Sequence, residues 1–331
     1  MSPLEKLYRN AAERERVKGQ LEAASRSVNA PVVVVGNLTA GGTGKSPVVA
    51  ALAHYFQRLG YRPGILSRGY GASLPDKPTL VSSSSDPQQV GDEPVMLAQQ
   101  TGCALVVDRD RVRGAQYLVN SCLANLVICD DGLQHYRLPR DIEILVLDGD
   151  RGLGNQRLLP VGPLREPVDR WRRVDFLLCN GDADGLPGDI RQRLHASFRL
   201  QPTGWLPLAG GESLPLQPAP VSGEVVAVSG IGNPGRFHST LARMGLKPTP
   251  RAFADHHRFQ HKDLARNGGL PVVMTAKDAV KCRQFYTGSS ALEDELPAAW
   301  ALQVAAELPP EFLQQVAARV QQIEQKGVPS R

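Results

Sequence analysis

Residues 31–49 read PVVVVGNLTAGGTGKSPVV. A continuous β-branched run ends at Gly36, a glycine-rich stretch follows, and the apolar positions then fall at helical spacing to about residue 59. That order, buried strand then tight loop then helix, predicts a phosphate-binding loop. Backbone N–H groups of such a loop converge on phosphate oxygens, and the helix N-terminus adds partial positive charge. Thr39, Ala40, Gly41, Gly42, Thr43, Gly44, Lys45 and Ser46 form the predicted cradle, with Lys45 reaching the outer phosphates and the Ser46 hydroxyl available to Mg²⁺. The strict G-x₄-G-K-[ST] spacing would place glycine where Thr39 stands, so the loop is a variant with glycines at 36, 41, 42 and 44.

Reading outward, strand-like runs recur at 63–66, 104–107, 126–129, 143–147 and 175–179, with helical patterns between several of them. Alternation of this kind predicts an α/β fold with a parallel sheet covered on both faces. The expected organisation is a polar amphipathic helix at 1–30, a P-loop NTPase-like α/β/α domain at 31–198, a proline-rich, loop-like linker at 199–222, and a second, smaller α/β/α domain at 223–331. In the last of these, a strand, glycine turn and helix at 224–245 precede strands at 271–274 and 300–304 and a closing helix at 310–325. The 331 residues suit two domains, and 42% hydrophobic with 21% charged residues excludes a disordered or fibrous chain. No apolar run approaches the roughly 18–20 residues of a spanning helix, and no apolar signal segment opens the chain. Five cysteines without CxxC spacing read as reduced thiols. The net charge of +5 suits an anionic partner, but the arginines lack interleaved aromatic stacking residues, which disfavours nucleic acid.

A second chemical signal is LVICDDGLQHYR at 126–137, an apolar strand ending in two aspartates. Asp130 and Asp131 there are candidate ligands of Mg²⁺, which selects hard oxygen. Three shorter clusters, VGDEP at 90–94, GPLREP at 162–167 and FADHHRF at 253–259, supply Asp92, Arg165, Glu166 and His256. A carboxylate beside an imidazole can deprotonate an alcohol, and arginine can stabilise a transferring phosphoryl group. In MTAKDA at 274–279 the lysine and aspartate are adjacent, which excludes the N-K-x-D order of a guanine-specific loop.

Taken in order from about residue 31 to 305, VVVVGNLTAGGTGKSP, SRGYG, VGDEP, CDDGLQHYRLPRD, GNQRLLPVGPLREP, GIGNPGRF, FADHH and KDAVKC resemble the tetraacyldisaccharide 4′-kinase family of lipid A biosynthesis. The resemblance implies ATP and Mg²⁺ as cofactors and transfer of the γ-phosphoryl group to the 4′-hydroxyl of a tetraacyldisaccharide 1-phosphate, giving lipid IVA. It implies a peripheral location on the cytoplasmic face of the bacterial inner membrane, a monomer, and no nucleic-acid partner. By the same resemblance Lys45 and Ser46 contact phosphate and Mg²⁺, Asp130, Asp131 and Glu166 lie at the metal, and Asp92 is the base with His256 as its partner from the second domain. Arg165 joins the catalytic set, and Tyr70, Arg111 and His135 surround phosphate or substrate. Similar proteins commonly carry Glu where this chain has Ala276. The reading from another class is a P-loop switch ATPase with a membrane or protein partner, which would hydrolyse ATP without a lipid acceptor.

Overall fold

The valines of β1 (Val32–Gly36) are at most 1% exposed, and alternation divides them between two cores. Val33 and Val35 enter one apolar cluster, Val32 and Val34 the other. A strand buried on both faces needs helices on both faces, and the computed structural model, which describes residues 2–265, 268–287 and 296–327, has that arrangement.

The remaining strands are β2 (Pro63–Ser67), β3 (Thr79–Val81), β4 (Ala104–Val107), β5 (Leu126–Asp130), β6 (Ile142–Asp148), β7 (Phe176–Asn180), β8 (Ala196–Pro207), β9 (Leu214–Pro215), β10 (Glu224–Ser229), β11 (Lys247–Ala252), β12 (Val272–Thr275) and β13 (Ala299–Glu307). The helices are α1 (Pro3–Ala23), α2 (Lys45–Arg58), α3 (Pro87–Val90), α4 (Asp92–Thr101), α5 (Arg111–Asn120), α6 (Gly188–Arg193), α7 (Pro234–Arg243), α8 (His261–Ala265), α9 (Ala276–Cys282), α10 (Gln284–Thr287) and α11 (Pro310–Gly327). One sheet runs through the molecule in the order β11-β10-β12-β13-β8-β7-β6-β1-β5-β2-β4-β3, with β9 beside β8. Around β1 all pairings are parallel, Val34 lying opposite Cys129 on one side and Glu143 on the other. The carboxyl ends of β1, β2 and β5 therefore face one edge, where open α/β sheets bind ligands.

Three expectations are corrected. The segment at 199–222 is not a plain loop, because β8 occupies its first part. Residues 196–198 of β8 pair parallel with β7, and from Arg199 onward the strand pairs antiparallel with β13, joining the two halves of the sheet. Pro202 masked this strand in the sequence; it is accommodated where the register shifts between Gln303 and Val304, a bulge being a place where the missing N–H is tolerated. The second correction concerns α11, which the sequence places in the unit 223–331. Its Phe312, Val316, Ala317 and Val320 pack in the same cluster as Val48, Leu52 and Phe56 of α2, and its Glu324 accepts a 2.8 Å hydrogen bond from the Tyr61 hydroxyl. The nine-residue β13 makes this return: its first residues pair with β12 and its last reach the first half.

Phe312 is 1% exposed and meets Phe176 edge to face at 5.6 Å. Truncation there removes a buried ring from the larger core, so Phe312→Ala is expected to cost about 3–5 kcal/mol of stability in denaturant unfolding. A loss below about 1 kcal/mol would place α11 outside the core.

The N-terminal helix covers Pro3–Ala23 and not the whole of 1–30. It starts at a proline, whose missing N–H has no intrahelical partner at that position in any case. Polar anchors hold it down: Arg157 and the Leu158 N–H donate to Glu5, and Tyr8 donates to the Arg165 carbonyl at 3.0 Å. Leu4, Leu7, Ala11, Arg14, Lys18 and Leu21, spaced three and four residues apart, remain exposed on the other side.

Candidate active site

Gly44 takes φ +94°, a left-handed conformation that favours glycine, and caps the N-terminus of α2. A Cβ there would lie 2.6 Å from Nδ2 of Asn180, which donates to the Thr43 carbonyl at 3.1 Å. The loop is thus held from β7. From the other side Asn37 Nδ2 donates to the Gly41 carbonyl at 3.1 Å, and Arg151 donates to the Gly42 carbonyl. With its carbonyls tied back, the loop keeps its amides: the N–H groups of Gly41 through Gly44 make no backbone hydrogen bond among the described residues. This fits phosphate. The cradle is narrower than expected, however, because Thr39 bridges to Leu164 and the Ala40 N–H is spent on the Pro163 carbonyl at 2.8 Å.

Beneath the loop, β5 delivers Asp130 and Asp131. Ser46 Oγ donates to Asp130 Oδ2 at 3.3 Å, while Asp130 Oδ1 is buried without a hydrogen-bond partner. Burial, followed by the charge of Glu93, pushes the Asp130 carboxyl up to about 7 against the pull of Lys45. A buried, under-satisfied carboxylate next to a hydroxyl suits a hard cation that brings most of its own ligands as water and phosphate oxygen. Asp131 has a different environment. Lys45 Nζ is 3.6 Å from its Oδ1, and Arg165 Nη1 donates to both of its oxygens at 2.9 and 3.1 Å. Burial works to raise this carboxyl, but Lys45 and Arg165 outweigh it and hold it at about 2. Asp131 also sits at φ +50°, an uncommon conformation that turns its side chain to these cations.

The second cluster spans the two halves. Asp92 opens α4 after Gly91, is 6% exposed, and its Oδ1 accepts the Glu93 N–H at 2.9 Å. Its Oδ2 is 3.4 Å from His256 Nδ1. His256, on the loop between β11 and α8, is held at φ +60°, strain of the kind that persists where surroundings dictate it. Lys277 Nζ lies 3.4 Å from His256 Nε2 and 3.0 Å from both Glu93 Oε1 and Asp255 Oδ1. A lysine donating to Nε2 leaves the Nδ1 proton to face Asp92. Burial acts to raise the Asp92 carboxyl, yet His256, Lys277 and Lys281 hold it at about 2, and the bond to Asp92 raises His256 above the usual imidazole value.

The structure thus joins Lys45 with Asp131 and Arg165, Ser46 with Asp130, and Asp92 with His256. The other four candidates have these surroundings. Glu166 accepts from Gln134 Nε2 at 2.6 Å and from the Tyr136 hydroxyl, and its Oε2 is ion-paired with Arg170 Nε at 3.2 Å. Tyr70 is 65% exposed, with its ring 5.0 Å from that of His256, whereas Arg111 and His135 lie by β5. Arg111 is buried, donates weakly to the Asp108 and Asp130 carbonyls at 3.5 Å, and leaves its Nε unpartnered. Burial, then Arg111 and Arg68, depress His135 to about 3, which keeps it neutral.

Sequence reasoning missed Asn180 and Arg151 behind the loop, Glu93, Lys277 and Lys281 around Asp92, and a contact from the second half. Gly232 backs onto the phosphate loop so closely that a Cβ would lie 2.8 Å from the Gly42 nitrogen, and Arg236 beside it pairs with Asp148 and Asp150 at 3.1 and 2.6 Å. The glycines of GIGNPGRF were a usable signal for such an approach.

The profile of the family described as Tetraacyldisaccharide-1-P 4′-kinase matches residues 1–321. Proteins named Tetraacyldisaccharide 4′-kinase from Pseudomonas entomophila and Pseudomonas putida are 46% and 43% identical, over 86% and 94% of this chain and 83% and 90% of their own lengths. A crystal structure of LpxK from Aquifex aeolicus in complex with ATP superposes with a TM-score of 0.71 at 27% identity, covering 96% of this chain and 97% of that one.

Proposed function

The chain belongs to the tetraacyldisaccharide-1-P 4′-kinase family, and from that premise we propose how its own residues carry the reaction. It is a lipid A 4′-kinase, phosphorylating the 4′-hydroxyl of a tetraacylated disaccharide 1-phosphate. The observation that carries the assignment of roles is the meeting of Asp92 and His256 across the two halves, at the sheet edge that also holds the phosphate loop.

ATP is the donor in this reading. Its phosphates take the amides of 41–46, and Lys45 leaves Asp131 to Arg165, whose Nη1 donates to both carboxylate oxygens, and turns to the outer phosphate. Ser46 and Asp130 would hold Mg²⁺, which when bound would neutralise phosphate charge. Phosphoryl transfer asks mainly for positioning and neutralisation, with modest proton transfer from the acceptor. Asp92 alone, at about 2, is a weak base, so it acts as a pair with His256: the carboxylate orients the hydroxyl, and the pair takes up its proton. Because one member comes from each half, closure of the halves completes the site.

No described helix is long and apolar enough to cross a membrane. The exposed stripe Leu4, Leu7, Ala11, Arg14, Lys18 and Leu21 on α1 supports peripheral docking, with leucines entering the headgroup region and basic residues meeting anionic lipid.

The test is transfer of labelled phosphate from ATP·Mg²⁺ to tetraacyldisaccharide 1-phosphate in detergent micelles, beside a control without lipid. Labelled lipid is expected, and little phosphate release in the control. Equal release with and without lipid would favour the switch ATPase, which the family membership does not support.

A further inference from the structure

Asp92 Oδ2 meets a second cation besides His256. Lys281, on α9, brings Nζ to 3.7 Å from it. This lysine is only 13% exposed, and its position is set from behind. Its ammonium lies 2.9 Å from Asp278 Oδ1 and 4.9 Å from the centre of the Phe259 ring. Asp278 is itself immobilised, accepting the Gly230 N–H at 2.8 Å and the Thr275 hydroxyl at 2.7 Å through Oδ2. The contact between Lys281 and Asp278 is an ion pair without hydrogen-bond geometry, since both Nζ and Oδ1 lack a hydrogen-bond partner. Lys281 therefore holds unspent donors, and Asp92 is the other carboxylate within ion-pair reach among the described residues. Lys277, one turn earlier, differs: Glu93 and Asp255 take its donors.

We propose that Lys281 is a positioning residue for phosphoryl transfer, whose ammonium fixes Asp92 Oδ2 between itself and His256. The proposal rests on the reading of Asp92 and His256 as the base pair. It explains why a carboxylate that must meet a sugar hydroxyl keeps one orientation at the border of a pocket lined by Tyr70, Gln88, His256, Arg258, Phe259 and Gln284.

The charged groups around the pair are Lys277 and Lys281 on α9 and Asp255 on the loop that carries His256, with Glu93 of α4 paired to Lys277 and Arg258 lining the same pocket. A cation at Lys281 favours the carboxylate and disfavours the imidazolium, so it lowers the titration of both members of the pair. Removing it moves both upward. The sign is the same whichever member sets the acidic limb of the rate profile.

The experiment compares kcat/KM against pH for the full-length wild type, Lys281→Met, Lys281→Gln and Lys281→Arg, using ATP·Mg²⁺ and tetraacyldisaccharide 1-phosphate. The Met and Gln variants are expected to move the acidic limb up by about one pH unit and to lower kcat at neutral pH about tenfold, with KM for ATP unchanged. Lys281→Arg, which keeps the charge, should return the limb close to its original place. In parallel, the imidazole resonances of His256 are expected to titrate at higher pH in Lys281→Gln, a readout that needs no turnover. An unmoved limb and an unmoved imidazole titration in the Gln variant would overturn the proposal, even if its rate fell. Asp92→Asn, assayed beside them, separates the two ideas: near-normal turnover there removes the base pair and the proposal with it, whereas an inactive Asp92→Asn with an unmoved limb in Lys281→Gln removes the role of Lys281 alone.

Discussion

Asp92→Asn is expected to lower kcat for lipid phosphorylation by about 10²–10⁴-fold, the range typical for loss of a positioned general base. ATP binding, followed by fluorescence or calorimetry, is expected to stay within about twofold, because the phosphate contacts lie on the loop and not on α4. The substitution keeps size and the capping bond: an amide oxygen can still accept the Glu93 N–H that Asp92 Oδ1 accepts at 2.9 Å. What it removes is the negative charge toward which His256, Lys277 and Lys281 converge. His256 then loses the partner that raises it, so its imidazole should titrate lower in this variant, opposite to the direction expected for Lys281→Gln. A fall in ATP affinity as large as the fall in kcat would mean that Asp92 organises the nucleotide site instead of the acceptor.

The parts of this site legible in sequence are those contiguous in the chain. The phosphate loop announced itself because strand, glycines, lysine and helix follow one another within residues 32–58, and Asp130 because it ends a wholly apolar strand. The pairing of Asp92 with His256 had no such local signature. It links positions 164 residues apart, and only the resemblance to a family suggested it. The metal role of Glu166 likewise came only from that resemblance, and its hydrogen-bond donors Gln134 and Tyr136, 32 and 30 positions away, have no local signature.

Fold-level reading met the same limit. The alternating strands predicted the parallel sheet around β1, but β8 was hidden by Pro202 and by an exposure pattern that does not alternate cleanly. No local feature of residues 310–327 tells which half their apolar face will cover. That is decided by the length and pairing of β13, which carries the chain back to α2. The junction between halves is also tertiary: Gly232 against Gly42, and Arg236 against Asp148 and Asp150, bring the second half onto the phosphate loop from residues that look like ordinary turn and helix cap.

Lys45→Met makes the complementary prediction, a loss shared by binding and chemistry. In the free protein the Lys45 side chain is 10% exposed and its Nζ leans on Asp131 at 3.6 Å, a contact too long for a strong hydrogen bond and easily exchanged for a phosphate oxygen. Arg165 already grips Asp131 with two shorter bonds, so the aspartate stays paired when the lysine is gone. Stability should therefore change by less than about 1 kcal/mol, since no buried charge is left alone. The nucleotide site fares worse. A charge-assisted bond to phosphate contributes roughly 1.5–3 kcal/mol, which predicts an affinity for ATP weaker by at least about tenfold. The same ammonium neutralises charge that grows on the outer phosphate during transfer, so kcat should fall by a further 10²–10³-fold, about the cost of losing one donor aimed at developing charge. Equilibrium ATP binding and single-turnover transfer to the lipid acceptor separate the two losses. Unchanged ATP affinity with a lowered single-turnover rate would confine Lys45 to the transition state, and an unchanged rate at saturating ATP would confine it to binding.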